Sequence, residues 1–444
     1  MTSSSYPNAT IATARPGWRL GNGSCFRNHV SIRRIVEALI ARQPIFDRNR
    51  QVYGYELLYR SDRAHNEFDG TESAFATKQV ISNTVMSIGL ENILGDKKAF
   101  VNFDQRLLSE GIYLNLPPQA AVIEILESVA PTADLIALCR AVREQGYMIA
   151  LDDFVSTPQF EPLTELAQLI KVDIRSTSVP EQERLLHTYK PRGIQLLAEK
   201  VETYEEFERV LAAGYDYFQG YFFARPSMIH RKEVPAQKLT CLLLLSEVQK
   251  PEPDVKRLDD VIRGDVALTY KLLRYVNSAL FGRDGHVQSI ERALVILGTD
   301  NIRRWAGLAT LPRLAVDKPG ELATLAIVRA RFCESLIKLA GISLADEAFL
   351  MGMFSLLDAL VDRPLDEALR SVGVGPEITN ALLGTASDES TLSRTYRLSR
   401  GYERGDWDQV ETLTQAYGFE ASAVRDAYLG ATLWASQMLH VAGN

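Results

Sequence analysis

Eight polar residues interrupt or close short apolar runs in the first half of the chain: Glu56, Asn102, Glu124, Asp152, Asp153, Lys171, Glu199 and Gln219. A carboxylate among apolar neighbours is costly to ionise unless it is paired or binds a cation. Glu56, Glu124, Asp152 and Glu199 stand on four separate runs and would repel one another if they shared a cavity. Hard divalent cations relieve that repulsion, and an oxygen-only ligand set selects Mg²⁺ or Mn²⁺ over zinc. Two such cations about 3.5 to 4 Å apart clamp the attacking and leaving oxygens of a phosphodiester and acidify a bound water. Taken singly, each residue has a plainer reading. A lone acid at a strand end is usually a cap or a surface ion pair. Asn102 could begin the next helix, Lys171 could pair with Asp173, and Gln219-Gly220-Tyr221 could be a bulge that needs glycine. Their joint occurrence at run ends is what favours chemistry.

A scaffold that gathers strand ends into one mouth is therefore required. Strand-like runs fall at 40–46, 52–59, 99–103, 121–126, 148–154, 169–174, 194–201 and 215–223, with helical patterns such as 74–93 and 132–145 between most of them. Eight runs alternating with helices predict a (β/α)₈ barrel, whose strand C-termini face one active-site mouth. Only Asp47 to Gln51 separates the first two runs. That connection is too short for a parallel crossover, so one strand is expected to be antiparallel.

After Ala224-Arg225-Pro226 the period changes to that of helices and stays so to the end. Leu268, Leu272, Leu273 and Val276 recur at helical spacing behind Asp265, a candidate N-cap. Windows at 322–339 and 424–438 repeat the pattern, with Gly341, Pro364 and Pro376 as breaks. The expected organisation is a Ser/Thr/Gly/Asn-rich flexible extension at 1–35, a barrel at 36–235 and a helical domain at 236–444. The fold class is α/β plus all-α.

The composition, 46% hydrophobic and 24% charged, is that of a globular chain. A net charge of -7 argues against a broad nucleic-acid surface, although a small anion remains compatible if metals supply the positive charge. Cys25, Cys139, Cys241 and Cys333 are widely spaced, without a zinc or redox motif, which suits a reducing cytoplasm. No run approaches the roughly 18 apolar residues of a membrane helix, and the first 28 residues lack the apolar core of a signal peptide.

The ordered segments Tyr55-Glu56-Leu57-Leu58-Tyr59-Arg60, Val101-Asn102-Phe103, Glu124-Ile125-Leu126-Glu127, Asp152-Asp153-Phe154, Lys171-Val172-Asp173, Glu199-Lys200-Val201-Glu202 and Phe218-Gln219-Gly220-Tyr221 resemble the EAL phosphodiesterase family. The resemblance implies hydrolysis of cyclic di-GMP to linear pGpG with two divalent cations. By it, Glu56, Asn102, Glu124 and Asp152 hold one metal, and Asp152 and Asp153 serve a second. Lys171 positions the attacking water, and Glu199 and Gln219 complete the metal-water shell. Gln43 and Arg60 contact the dinucleotide, and Glu127 anchors the loop after Asp153. Three departures stand out. Leu57 replaces the alanine of the family motif, the loop Val155-Ser156-Thr157 lacks both family glycines and is shorter, and Lys200 replaces a glycine. The altered loop motivates an alternative in which the barrel binds the nucleotide with weak or no turnover. It also leaves a homodimer open, because relatives pair through that loop.

The stretch 272–282, followed by Ser289-Ile290-Glu291-Arg292-Ala293 and Leu297-Gly298, resembles the HDOD family, itself related to HD-type metal phosphohydrolases. The matching segment has Ser355-Leu356 in place of the His-Asp pair, and the six histidines are scattered. One aspartate, Asp358, cannot build such a metal site. The resemblance therefore implies a non-catalytic regulatory module for a protein partner in bacterial signal transduction. Arg303-Arg304-Trp305 reads as a solvated basic step rather than a nucleic-acid contact.

Overall fold

In the computed structural model of the chain, residues 38–61, 90, 94–126, 129–154, 157–225, 236–277, 287, 289–387 and 390–443 are described. Eight strands close into a barrel in chain order: β1 (Ala38–Asp47), β2 (Val52–Ser61), β3 (Lys98–Phe103), β4 (Ala121–Ile125), β5 (Met148–Leu151), β6 (Leu169–Asp173), β7 (Gln195–Glu199) and β8 (Tyr217–Gln219). β1 runs antiparallel to both β2 and β8, and every other pair is parallel. The short 47–51 connection dictates this. Asp47 accepts the amides of Asn49 and Gln51, and Arg50 turns the chain at φ 61°.

The barrel interior is layered. Ile45, Phe100, Val122, Ala150, Leu169, Leu197 and Tyr217 form an apolar plug. Side chains alternate faces along a strand, so the residue two positions further on also points inward. Those positions are Asn102, Glu124, Lys171, Glu199 and Gln219 on their strands and Asp152 just past the end of β5. On the reversed strand β1 the corresponding residue lies two positions earlier, at Gln43, and it pairs in register with Glu56 of β2. One register shift thus separates the apolar floor from the polar mouth. Barrel helices cover the outside, for example Ala133–Glu144, capped at its start by Thr132, and Tyr204–Ala213, whose Thr203 and Glu206 form a reciprocal cap. The expected helix at 74–93 and the extension at 1–35 lie outside the described residues, apart from Leu90.

From Ala236 onward the chain is helical. The helix Val266–Val276 starts at Asp265, whose carboxylate accepts the amides of Ala267 and Leu268. Pro364 and Pro376 stand at helix starts, where a missing N–H costs nothing, and Gly341 leaves a helix end at φ 68°. Arg303 and Arg304 correct the solvated-step expectation. Arg303 donates to the carbonyls of Val248 and Lys250, while Arg304 pairs with Glu334 and Asp346 over the Phe349 ring. Trp305 is buried. The described residues pack as one compact unit, and one apolar core runs from the outer barrel face into the helical region. No helix among the described residues is long and apolar enough to cross a membrane.

Candidate active site

The mouth centres on Lys171, which is fully buried. Its Nζ lies 2.7 Å from Asp152 Oδ1, 2.9 Å from Glu124 Oε1, 3.0 Å from Glu199 Oε1 and 3.3 Å from Glu56 Oε2. Four strands therefore deliver acids to one ammonium, and with all four ionised the cluster keeps three excess negative charges. A chain of amides lines the side toward β1. Gln219 Nε2 donates to Gln43 Oε1 at 2.9 Å and to Glu56 Oε2 at 2.7 Å, and Asn102 Nδ2 donates to Glu56 Oε1 at 3.3 Å.

Electrostatics separates the acids. Burial raises the Glu56 carboxyl, but Lys171 and the amides of Gln219 and Asn102 more than reverse this and leave it below its ordinary value. Burial dominates at Glu124, which stands well above the carboxylate range, and at Asp152, also raised, with Lys171 opposing in both cases. Glu199 is pushed up to about 8, first by burial and then by Asp152 and Glu56. Burial works against the Lys171 ammonium, yet its surrounding acids hold its proton well above the ordinary lysine value.

Several buried oxygens aimed at this space lack a hydrogen-bond partner: Asn102 Oδ1, both oxygens of Glu124, Glu199 Oε2 and Gln219 Oε1. Glu124 Oε1 is close to Lys171 but poorly aligned for a hydrogen bond, so the ion pair leaves its lone pairs largely unused. An all-oxygen donor set with excess negative charge and orphaned lone pairs suits Mg²⁺ or Mn²⁺. Among the described residues the acids stand around the ammonium rather than as a ready cage of three on one point.

The other sequence candidates fall at the rim or beyond description. Asp153 adopts φ 42° and donates its amide to Asp152 Oδ1. That left-handed turn falls on a non-glycine residue, directly ahead of the loop that lacks the family glycines. Arg60 lies on β2 opposite Leu39. Its side chain, Glu127, Val155 and Ser156 are outside the described residues. Lys171 does not pair with Asp173. Asp173 instead accepts Lys200 Nζ at 2.6 Å and the amides of Arg175 and Ser176. Lys200 holds φ 56°, so the residue that replaces a family glycine keeps a glycine-like backbone and turns its ammonium to Asp173. Gly220 is needed for close approach: a Cβ there would lie 2.0 Å from the Val201 carbonyl oxygen. Sequence reasoning missed Tyr59, whose hydroxyl donates to the Asn102 carbonyl at 2.9 Å. Nothing local distinguishes it from any strand tyrosine.

The family model of the EAL domain matches residues 37–226, and that of the HDOD domain matches residues 234–361. Over 412 residues the chain is 32% identical to the uncharacterized protein YuxH of Bacillus subtilis, covering 91% of this chain and 99% of YuxH. Over 402 residues it is 33% identical to the cyclic di-GMP phosphodiesterase CdgJ of Vibrio cholerae, covering 90% and 92%. Among solved structures, a standalone EAL protein from Vibrio cholerae in a c-di-GMP-bound form aligns at a TM-score of 0.34 and 23% identity, over 43% of this chain and 93% of that one.

Proposed function

The chain belongs to the EAL family, in the form that carries an HDOD domain behind the barrel, and from that premise we propose that it hydrolyses cyclic di-GMP to linear pGpG. The observation that carries this reading is the convergence of Glu56, Glu124, Asp152 and Glu199 on Lys171, with buried oxygens left over for cations. Glu56, Asn102, Glu124, Asp152 and Asp153 would hold two Mg²⁺ or Mn²⁺ ions. When bound, such ions offset the charge of the phosphodiester and lower the pKa of a water.

The protein's own groups divide the remaining work. Lys171 stays protonated among its acids, so it orients the attacking water as a donor and does not act as the base. Glu199 and Gln219 flank it and complete the water shell, and Gln219 also fixes Gln43 at the substrate side. Gln43 and Arg60 contact the nucleotide. Glu127 anchors the loop after Asp153. All these groups come from one barrel, so the reading requires no second copy of the chain. The domains divide at about residue 235, the helical part addresses a protein partner, and the chain works in the cytoplasm, where the buried thiols of Cys139, Cys241 and Cys333 stay reduced.

The test is pGpG formation by purified full-length protein with Mn²⁺ or Mg²⁺, followed chromatographically. Wild type is expected to turn over, and Glu56→Ala to lose more than about 100-fold, because it deletes a ligand rather than a group behind one. Nucleotide binding without any product would refute hydrolysis and leave the barrel as a receptor.

A further inference from the structure

The half of the site built by β1, β2 and β8 is held from outside by the helical region. Inside the barrel Gln219 bridges Gln43 and Glu56, donating to both. Their sequence neighbours face the other way, as strand alternation requires. Tyr55, next to Glu56, donates its hydroxyl at 2.9 Å to Glu321 Oε2 in the helix Gly320–Leu339. Arg42, next to Gln43, stacks its guanidinium 4.4 Å over the Tyr55 ring, and its main chain hydrogen-bonds the Tyr428 hydroxyl. Beyond Gln219, the Tyr221 hydroxyl donates at 2.9 Å to the Glu403 carbonyl, and Arg404 lies over the same ring.

These tethers have a topological cause. The β1–β2 hairpin has no crossover helix, so the face it turns outward must be covered by something else. The helices Thr391–Arg404 and Ala421–Gly443 pack on β1. Where β1 runs past its partner β8, the Tyr402 hydroxyl accepts the free Ile40 amide at 3.2 Å. Behind this surface Arg329 forms a bidentate pair with Glu403 and donates to Ser355, the residue standing in place of an HD-type histidine. The pair is buried, so the strut that carries Glu403 to Tyr221 is stiff.

We propose that Arg42, Tyr55 and Tyr221 are positioning residues through which the helical region, by way of Glu321 and Glu403, sets the geometry of Gln43, Glu56 and Gln219. The helical region is then part of the metal site's support, and a partner that shifts the Gly320–Leu339 helix changes metal affinity. Groups that fix a ligand from behind typically matter 10- to 100-fold for metal binding.

This inference rests on the reading of the mouth as a Mn²⁺ site, and its test uses the full-length chain with free Mn²⁺ measured by electron paramagnetic resonance, a readout independent of turnover. Tyr55→Phe and Glu321→Ala are expected to raise the Mn²⁺ dissociation constant about tenfold. Glu321→Gln, which keeps an oxygen acceptor for Tyr55, is expected to stay within about twofold. Tyr147→Phe is the control, since its hydroxyl donates to the carbonyls of Tyr113 and Leu116, within the barrel itself. Wild-type affinity in Tyr55→Phe, or an equal loss in Tyr147→Phe, would overturn the inference while leaving the Mn²⁺ site standing. Failure of the wild type to bind Mn²⁺ would overturn the site and the inference together.

Discussion

Replacing Lys171 with methionine keeps the length of the side chain and deletes the cation that Glu56, Glu124, Asp152 and Glu199 surround. Each ion pair, at 2.7 to 3.3 Å, is worth roughly 5 kcal/mol gross at an effective dielectric constant near 20. Desolvation of the ammonium and repulsion among the acids cancel most of that sum. Glu124, Asp152 and Glu199 are already raised by burial, so in the variant they take up protons rather than remain as bare charges. The net loss should then match that of removing one partner of a buried pair, about 3–5 kcal/mol. For a chain of this size the melting temperature in EDTA should fall by roughly 3–5 °C. Mn²⁺ at a hundredfold its dissociation constant should return about 2.7 kcal/mol, because it binds only the folded site. Thermal melts of both proteins in EDTA and in Mn²⁺ measure all of this. A variant as stable as wild type in EDTA, or a wild type indifferent to Mn²⁺, would refute the account of the mouth as a charged cluster built for cations.

Gly220→Ala should destabilise the fold by about 2–3 kcal/mol in urea titrations, since the new Cβ meets the Val201 main chain at a strained backbone. It should also weaken nucleotide binding, because Gln219 moves with it. Asp265→Ala should cost about 1–2 kcal/mol at pH 7 through the lost helix cap and Arg313 pair. The Arg313 hydrogen bond, with the Leu268 and Ala267 amides, holds the folded Asp265 carboxyl below its ordinary value against the opposing effect of burial. Its contribution is therefore full above the unfolded pKa near 3.9 and fades as pH falls through the lower folded value. Denaturation of both proteins from pH 7 to pH 2.5 should show the gap closing only at the acid end; a constant gap would count against the electrostatic part.

What could be read from the sequence follows from what alternation encodes. Glu124 and Lys171 sit in apolar strand runs where a solvated position would not be placed, so their type and spacing expose both strand and site. The antiparallel first strand follows from a connection too short to cross the sheet. The last strand was read too long, as 215–223, because Tyr221 to Ala224 continues the apolar run while turning as a 3₁₀ helix. Gly220 marks that stop, although its reason, contact with Val201, is tertiary. Lys171 and Asp173 looked like a pair because they are two apart. On a strand such residues share a face, but here the strand ends at Asp173, whose carboxylate caps the following turn and meets Lys200.

The tethers behind the site were invisible for a different reason. Tyr55 and Glu321 are 266 positions apart, and neither breaks the pattern of its own element. A tyrosine facing out of a strand and an acid in the first turn of a helix are ordinary in both places. Their meaning arises only when the hairpin, lacking a crossover helix, borrows its cover from the C-terminal region. That borrowing bears on the proposed division at about residue 235. A cut there would strip the outer face of β1, leave the Ile40 amide without Tyr402, and release Tyr55 and Tyr221 beside Glu56 and Gln219. Loss of turnover in a truncated barrel would therefore not separate regulation from support. The single-hydroxyl variants in the full chain do separate them, because each removes one tether and leaves the covering helices in place.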